Sequence, residues 1–133
     1  MTTAKLFFDH VHIISQDPLT AADWYVTHLG GKIAARAEVR GAPQIAVAFE
    51  GVTILIRGRR SGETVSAKAG LQWGTDHFGF GVAGDFDGFC RQLKDRGVVF
   101  SLDPTDFGPS LRIAFIQAPD GVSVELLQRR GAD

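Results

Sequence analysis

An α+β fold of two tandem β-α-β-β-β modules is predicted by three observations in this chain. Asp9-His10 and Asp76-His77 form a repeated pair, 67 residues apart, each opening an alternating strand. Glu50-Gly51-Val52-Thr53-Ile54-Leu55-Ile56 reads like Asp120-Gly121-Val122-Ser123-Val124-Glu125-Leu126, at the similar offset of 70. Each half also carries one segment of helical periodicity closed by glycine, placed after its first strand. Self-similarity at a nearly constant offset marks a duplicated unit.

In the first half, Phe7 to Ile14 is rich in aromatic and β-branched residues and reads as a strand, with His10 and His12 on one face and Val11 and Ile13 on the other. Asp17-Pro18 starts a helix: an aspartate accepts hydrogen bonds from free backbone amides at the N-cap, and proline fits the first turn. Gly30-Gly31 ends it. Leu19, Ala22, Val26 and Leu29 are its expected buried stripe. Ile33, Ala35, Ala37 and Val39 alternate with polar residues as a half-exposed strand. Gly41-Ala42-Pro43 is read as the turn into strands 44–49 and 52–57, which are joined through Glu50-Gly51.

The second half repeats the order. His77 to Val82 is its opening strand, and Phe86, Phe89, Cys90 and Leu93 make a helical stripe that stops at Gly97. Val98 to Leu102 follows as a strand, and Asp103 to Ser110, rich in Pro, Gly and Asp, reads as a loop. Leu111 to Gln117 and Val122 to Gln128 then pair across Pro119-Asp120-Gly121. The expected organisation is a single domain over residues 1–133, with module one at about 5–57, a linker at 58–74 and module two at about 75–129. A linker that long inside a compact domain reads as a connection between modules before a lid, and the basic character that Arg57, Arg59, Arg60 and Lys68 give it reads as surface charge before a grip on a carboxylate or phosphate.

With 133 residues, 44% of them hydrophobic, the chain can bury a core of its own. Fourteen basic against fifteen acidic residues leave a net charge of -1, which gives no electrostatic footprint for nucleic acid or an anionic membrane. The single cysteine, Cys90, excludes an internal disulfide and, on the apolar side of a helix, reads as packing before catalysis. No signal peptide or membrane anchor is visible at the N-terminus, so a cytoplasmic location is expected.

The repeat equates Leu55 with Glu125 and His10 with His77, so four equivalent positions hold two imidazoles, one carboxylate and one apolar residue. Histidine is the commonest ligand of transition metals, and a carboxylate between Val124 and Leu126 is costly to ionise without a cation or partner. His10, His77 and Glu125 are therefore expected to bind a divalent metal.

This order of elements resembles the vicinal oxygen chelate superfamily, which includes glyoxalase I, extradiol dioxygenases, fosfomycin-resistance proteins and bleomycin-resistance proteins. The resemblance rests on Asp9-His10-Val11-His12-Ile13, the helix from Asp17 through Trp24-Tyr25 to Leu29-Gly30-Gly31, Asp76-His77-Phe78-Gly79-Phe80, and Pro119 to Leu126. It covers nearly the whole chain. It implies that the module sheets form a curled mixed sheet, a cup with the metal on its concave face, and that the protein is a homodimer acting on a small molecule. Period-two alternation then sends Gly79 and Gly81 inward beside His77, leaving open volume for substrate. Ile113, Phe115 and Arg57 also point inward by the repeat, giving a mainly apolar cavity with Arg57 and His12 as its strongly polar groups.

Glyoxalase I resembles the chain in architecture but uses four protein ligands, one a glutamate of the first half that moves a proton. Leu55 occupies that position here, and no other base is expected at equivalent geometry. Fosfomycin-resistance proteins surround their phosphonate with polar residues where Ile113 and Phe115 stand. Extradiol dioxygenases use two histidines and a glutamate, which leave three positions on Fe(II) for a bidentate substrate and dioxygen. The resemblance thus favours an extradiol-type ring-cleaving dioxygenase, with Fe(II) ahead of Mn, Ni or Zn as its metal and His12 as its acid/base. A glyoxalase-like lyase, isomerase or thiol transferase is the alternative, and a bleomycin-resistance-like binding protein is the reading from another class.

Overall fold

The computed structural model describes residues 4–66 and 69–130 and divides into two compact units, Met1–Ala67 and Lys68–Asp133. Lys68, expected to add surface charge to the linker, lies outside the described residues. Among the described residues the fold has two α-helices and eight strands in two four-stranded mixed sheets, neither of them closed. The first unit runs β1 (His10–Ile14), α1 (Pro18–Leu29), β2 (Lys32–Val39), β3 (Ala42–Phe49) and β4 (Val52–Arg57). The second runs β5 (Phe78–Gly81), α2 (Phe86–Asp95), β6 (Phe100–Asp106), β7 (Leu111–Gln117) and β8 (Ser123–Arg129). Sheet orders are β1-β4-β3-β2 and β5-β8-β7-β6. In each, the opening strand pairs parallel with the last and the other pairs are antiparallel. The expected β-α-β-β-β order is present twice.

One face of each sheet makes the core. Val47, Ile54 and Ile56 are fully buried in the first unit, and Ala114, Ile116 and Val124 in the second, with Leu126 almost so. Ile54 and Ile56 stand where the repeat puts Val124 and Leu126, so the two modules bury the same positions. Alternation then commits the neighbours Thr53, Leu55 and Arg57, and Ser123, Glu125 and Leu127, to the opposite face.

The structure corrects four local expectations. The buried stripe of α1 is Pro18, Ala21, Ala22 and Tyr25. Tyr25 is 1% exposed and Leu19 54%. Two alanines at the contact let the helix lie close to the sheet, and Tyr25 supplies the volume, so the stripe is rotated by about one residue. The β2-β3 hairpin turns at Arg40-Gly41, both with positive φ, 50° and 81°, as a two-residue turn matching the strand twist requires. Pro43 is thereby inside β3, where it pairs with Glu38. Residues 103–106 are strand, not loop. Pro104 is tolerated because β6 is an edge strand, and two register shifts absorb the irregularity. His77 itself lies one residue ahead of β5.

Helix ends follow the sequence closely. Asp17 accepts from Thr20 N at 3.2 Å and Asp85 from Gly88 N at 2.9 Å. Gly30 closes α1 at φ 79°, and Gly97 follows α2 at φ 87°. Gly31 is required for a steric reason. A Cβ there would lie 2.5 Å from Val47 Cγ1 and 2.7 Å from Phe49 Cζ, so only glycine lets the chain pass over β3. Among the described residues no helix is long and apolar enough to cross a membrane.

Candidate metal centre

In the second unit the strand register decides which side chains meet. Gly79 is the partner of Glu125 on β8, and Glu125 is in turn the partner of Phe115 on β7. His77, just before β5, brings its Nε2 to 3.3 Å from Glu125 Oε1. Its Nδ1 donates to Asp76 Oδ2 at 2.8 Å. Phe115 packs against the His77 ring edge to face, with centroids 4.8 Å apart. Three contacts thus orient one imidazole and turn its Nε2 toward a carboxylate.

Bonds of about 2.0–2.2 Å from a metal to nitrogen and oxygen put neighbouring donors about 3 Å apart, so the His77–Glu125 spacing fits a shared cation. The Asp76 hydrogen bond, above all, raises the His77 pKa, with Glu125 adding to it. Both partners therefore favour positive charge between them, and a divalent cation can replace the proton that Nε2 otherwise holds toward Glu125. A carboxylate on the far nitrogen of a ligating histidine fixes tautomer and ring direction.

Gly79 is more tightly used than its sequence suggests. A Cβ there would lie 3.2 Å from both Glu125 Cβ and Leu127 Cδ2, so its role is to let the Glu125 side chain lie over the strand. Gly81 has nothing within 4 Å of a built Cβ and does leave open space. Ile113 and Phe115 share the Glu125 face as register partners of Leu127 and Glu125.

The first unit builds a related arrangement. His10 Nδ1 donates to Asp9 Oδ2 at 2.8 Å, repeating the Asp76-His77 contact. His12 is on the same face of β1, its ring centroid 6.1 Å from that of His10, and its register partner on β4 is Leu55. Burial, then the Arg57 guanidinium, the His10 ring and Arg60, push the His12 pKa below its ordinary value. Sequence reasoning expected His12 as an acid/base of the cavity but no base at the geometry of the Leu55 place; the register makes His12 the β1 partner of Leu55. Arg57, at the end of β4, is 11% exposed and grips Glu63 with both amino groups, at 2.6 and 3.1 Å. Among the described residues no three His, Cys, Asp or Glu side chains group to hold a metal, and of the expected ligands only His77 and Glu125 are in contact.

The family model of the glyoxalase/bleomycin resistance protein/dioxygenase superfamily matches residues 7–126. The chain belongs to this superfamily. Solved structures agree on the fold. A glyoxalase family protein from Bacillus cereus superposes with a TM-score of 0.81 at 19% identity, over 98% of this chain and 99% of that one. A glyoxylase/bleomycin resistance protein/dioxygenase domain from Frankia sp. EAN1pec gives 0.75 at 23%, over 97% and 100%. A glyoxalase/bleomycin resistance protein/dioxygenase from Alicyclobacillus acidocaldarius gives 0.70 at 24%, over 98% and 96%. No curated protein matches the chain.

Within this superfamily member, sequence reasoning missed the parts played by Asp9, Asp76 and Glu63. The signal for the first two lay in the repeat itself, which duplicates an Asp-His dipeptide and not a lone histidine. Glu63 carried no such signal, because its partner is set by the path of the chain after β4.

Proposed function

We propose that this protein is a metal-dependent vicinal oxygen chelate enzyme that acts on a small, largely apolar molecule through two neighbouring oxygens. His10, His77 and Glu125 are its metal ligands, and the His77–Glu125 pair, with Asp76 on the far nitrogen, is the observation that carries the reading. A divalent ion held there, Fe(II) before Mn, Ni or Zn, supplies Lewis acidity to a bidentate oxygen ligand. Everything else falls to the chain. Asp9 and Asp76 hold the two rings, Ile113 and Phe115 with the open Gly81 strand form an apolar wall, and Gly79 keeps Glu125 in place. Arg57, its guanidinium oriented by Glu63, faces a polar head of the substrate, and His12 carries protons to and from the reacting oxygens.

An open three-ligand centre with an apolar wall fits extradiol-type ring cleavage best. Oxygen uptake with a panel of catechols, after anaerobic Fe(II) loading, is the expected result, and its loss in His77→Ala ties it to the site. A second reading, a glyoxalase-like lyase, isomerase or thiol transferase, is favoured by His12 standing beside Leu55, where proton transfer needs a base. Turnover without oxygen under Ni(II), Zn(II) or Mn(II) would select it. Failure to bind any metal after reconstitution would sink both readings and leave a ligand-binding protein of the bleomycin-resistance kind. In this proposal residues 1–133 act as one cytoplasmic domain, modules 5–57 and 75–129 joined by 58–74, and work as a homodimer.

A further inference from the structure

We propose that His12 is itself a metal ligand, filling from β1 the donor place that Leu55 leaves empty on β4. The inference rests on the metal-centre reading above and adds to it a fourth protein donor. Its first support is the strand. His10 and His12 alternate onto one face of β1, with ring centroids 6.1 Å apart and planes at 70°. Two imidazoles sharing a cation through bonds of about 2.0–2.1 Å have ring centres roughly 5 Å apart. The difference is within the reach of rotation of the His12 ring, which the core does not hold: Ile13, on the other face of β1, is buried, whereas His12 is exposed, and His10 keeps its hydrogen bond to Asp9.

The second support is the comparison of the two units at one pair of positions. In the second unit the inner strand carries the donor, Glu125, and its register partner on the edge strand is Gly79. That glycine gives way, since a Cβ would press on the Glu125 Cβ at 3.2 Å. In the first unit the inner strand carries Leu55, and its partner on the edge strand is His12. Donor and non-donor have exchanged strands. Adjacent strands lie about 4.8 Å apart, a step that a histidine side chain leaning across the sheet can span, so a donor from either strand serves one point on the shared face. On β3 the register partner of Leu55 is Ala46, where the second unit has Phe115 against Glu125, so the first unit is less crowded on this face.

A histidine bound through one nitrogen cannot accept a proton there. His12 therefore ligates in the substrate-free protein, and its acid/base role belongs to the substrate-bound one.

The test uses the full chain and Zn(II) calorimetry, with Co(II) visible absorption as the second readout. His12→Ala is expected to weaken Zn(II) binding about 100-fold, the upper end of what loss of a supporting residue costs at such sites. The Co(II) spectrum should shift toward fewer nitrogen donors. Adding Leu55→Glu to His12→Ala should restore tight binding, because it recreates in the first unit the arrangement of the second. If His12→Ala leaves affinity and spectrum unchanged while His77→Ala abolishes binding, the inference is overturned and the metal-centre reading stands. If His10→Ala and His12→Ala lose the metal but His77→Ala and Glu125→Ala keep it, His12 is a ligand and the shared centre is wrong. No binding to the unaltered chain overturns both.

Discussion

Arg57 and Glu63 show how one ion pair reshapes the chemistry offered by a single cation. The guanidinium holds the Glu63 carboxyl at about 2, its hydrogen bonds acting first and the Arg60 backbone amide next. A lowered carboxyl pKa means that the pair stabilises the folded chain fully above the ordinary value of 4.5, and that this contribution is lost as pH falls toward about 2. Carbon-13 NMR titration of the side-chain carboxyls should therefore find Glu63 ionised down to about 2, and Arg57→Ala should raise its midpoint toward the ordinary range, with the Arg60 amide still holding part of the shift. A midpoint unchanged by Arg57→Ala would refute the assigned cause. Gly79 carries a second prediction at this scale. Gly79→Ala crowds the Glu125 Cβ, which must shift slightly beside His77, so Zn(II) affinity should fall up to roughly tenfold, with a stability loss of about 1 kcal/mol in chemical denaturation. Unchanged affinity would mean that Glu125 does not need that strand to be bare.

At the scale of elements, most of the fold was legible because the duplicated signals were chemical and local. Asp17-Pro18 and Gly30 bounded α1, the repeat around Gly51-Val52 and Gly121-Val122 aligned β4 with β8, and period-two alternation assigned the faces of β1, β4 and β8. The misreadings arose where tertiary packing outweighed local preference. Proline punctuation at Pro43 and Pro104 looked like turn and loop, yet one lies at the start of β3 and the other on an edge strand, places that tolerate a missing amide. The α1 stripe was displaced because leucine looks more buried than alanine until the helix-sheet distance is known. Of the candidate site, the contact of His77 with Glu125 was legible in the repeat; the pairing of His12 with Leu55 was not, because it depends on a parallel register between distant strands. Gly31 supplies the prediction for this scale. Gly31→Ala drives a methyl into Val47 and Phe49 and should destabilise the chain by about 1–3 kcal/mol, seen as a lower urea midpoint at constant slope. A smaller effect, below about 0.5 kcal/mol, would show that β3 yields readily.

For the whole molecule, the duplication divides the proposed ligand set between modules: His10 belongs to one, His77 and Glu125 to the other. If a homodimer completes its sites with modules from different subunits, mixing His10→Ala with Glu125→Ala restores one intact site per mixed dimer. Metal binding to the mixture should then recover to about a quarter of the unaltered level, as random pairing requires. No recovery after verified subunit exchange would place each site within one chain.

The parallel pairing of β1 with β4 and of β5 with β8 also bears on how the chain reaches its structure. Each opening strand waits for the last strand of its module before it has a partner, and such distant contacts form only after a costly loop is closed. The histidines on or beside these strands should thus be silent while the rate-limiting barrier is crossed. A cation that binds them would leave the folding rate unchanged and slow unfolding, so metal would act as a latch on the finished protein and not as a guide to its assembly. Stopped-flow refolding with and without Zn(II) reads this directly, and a metal-accelerated folding arm would contradict it.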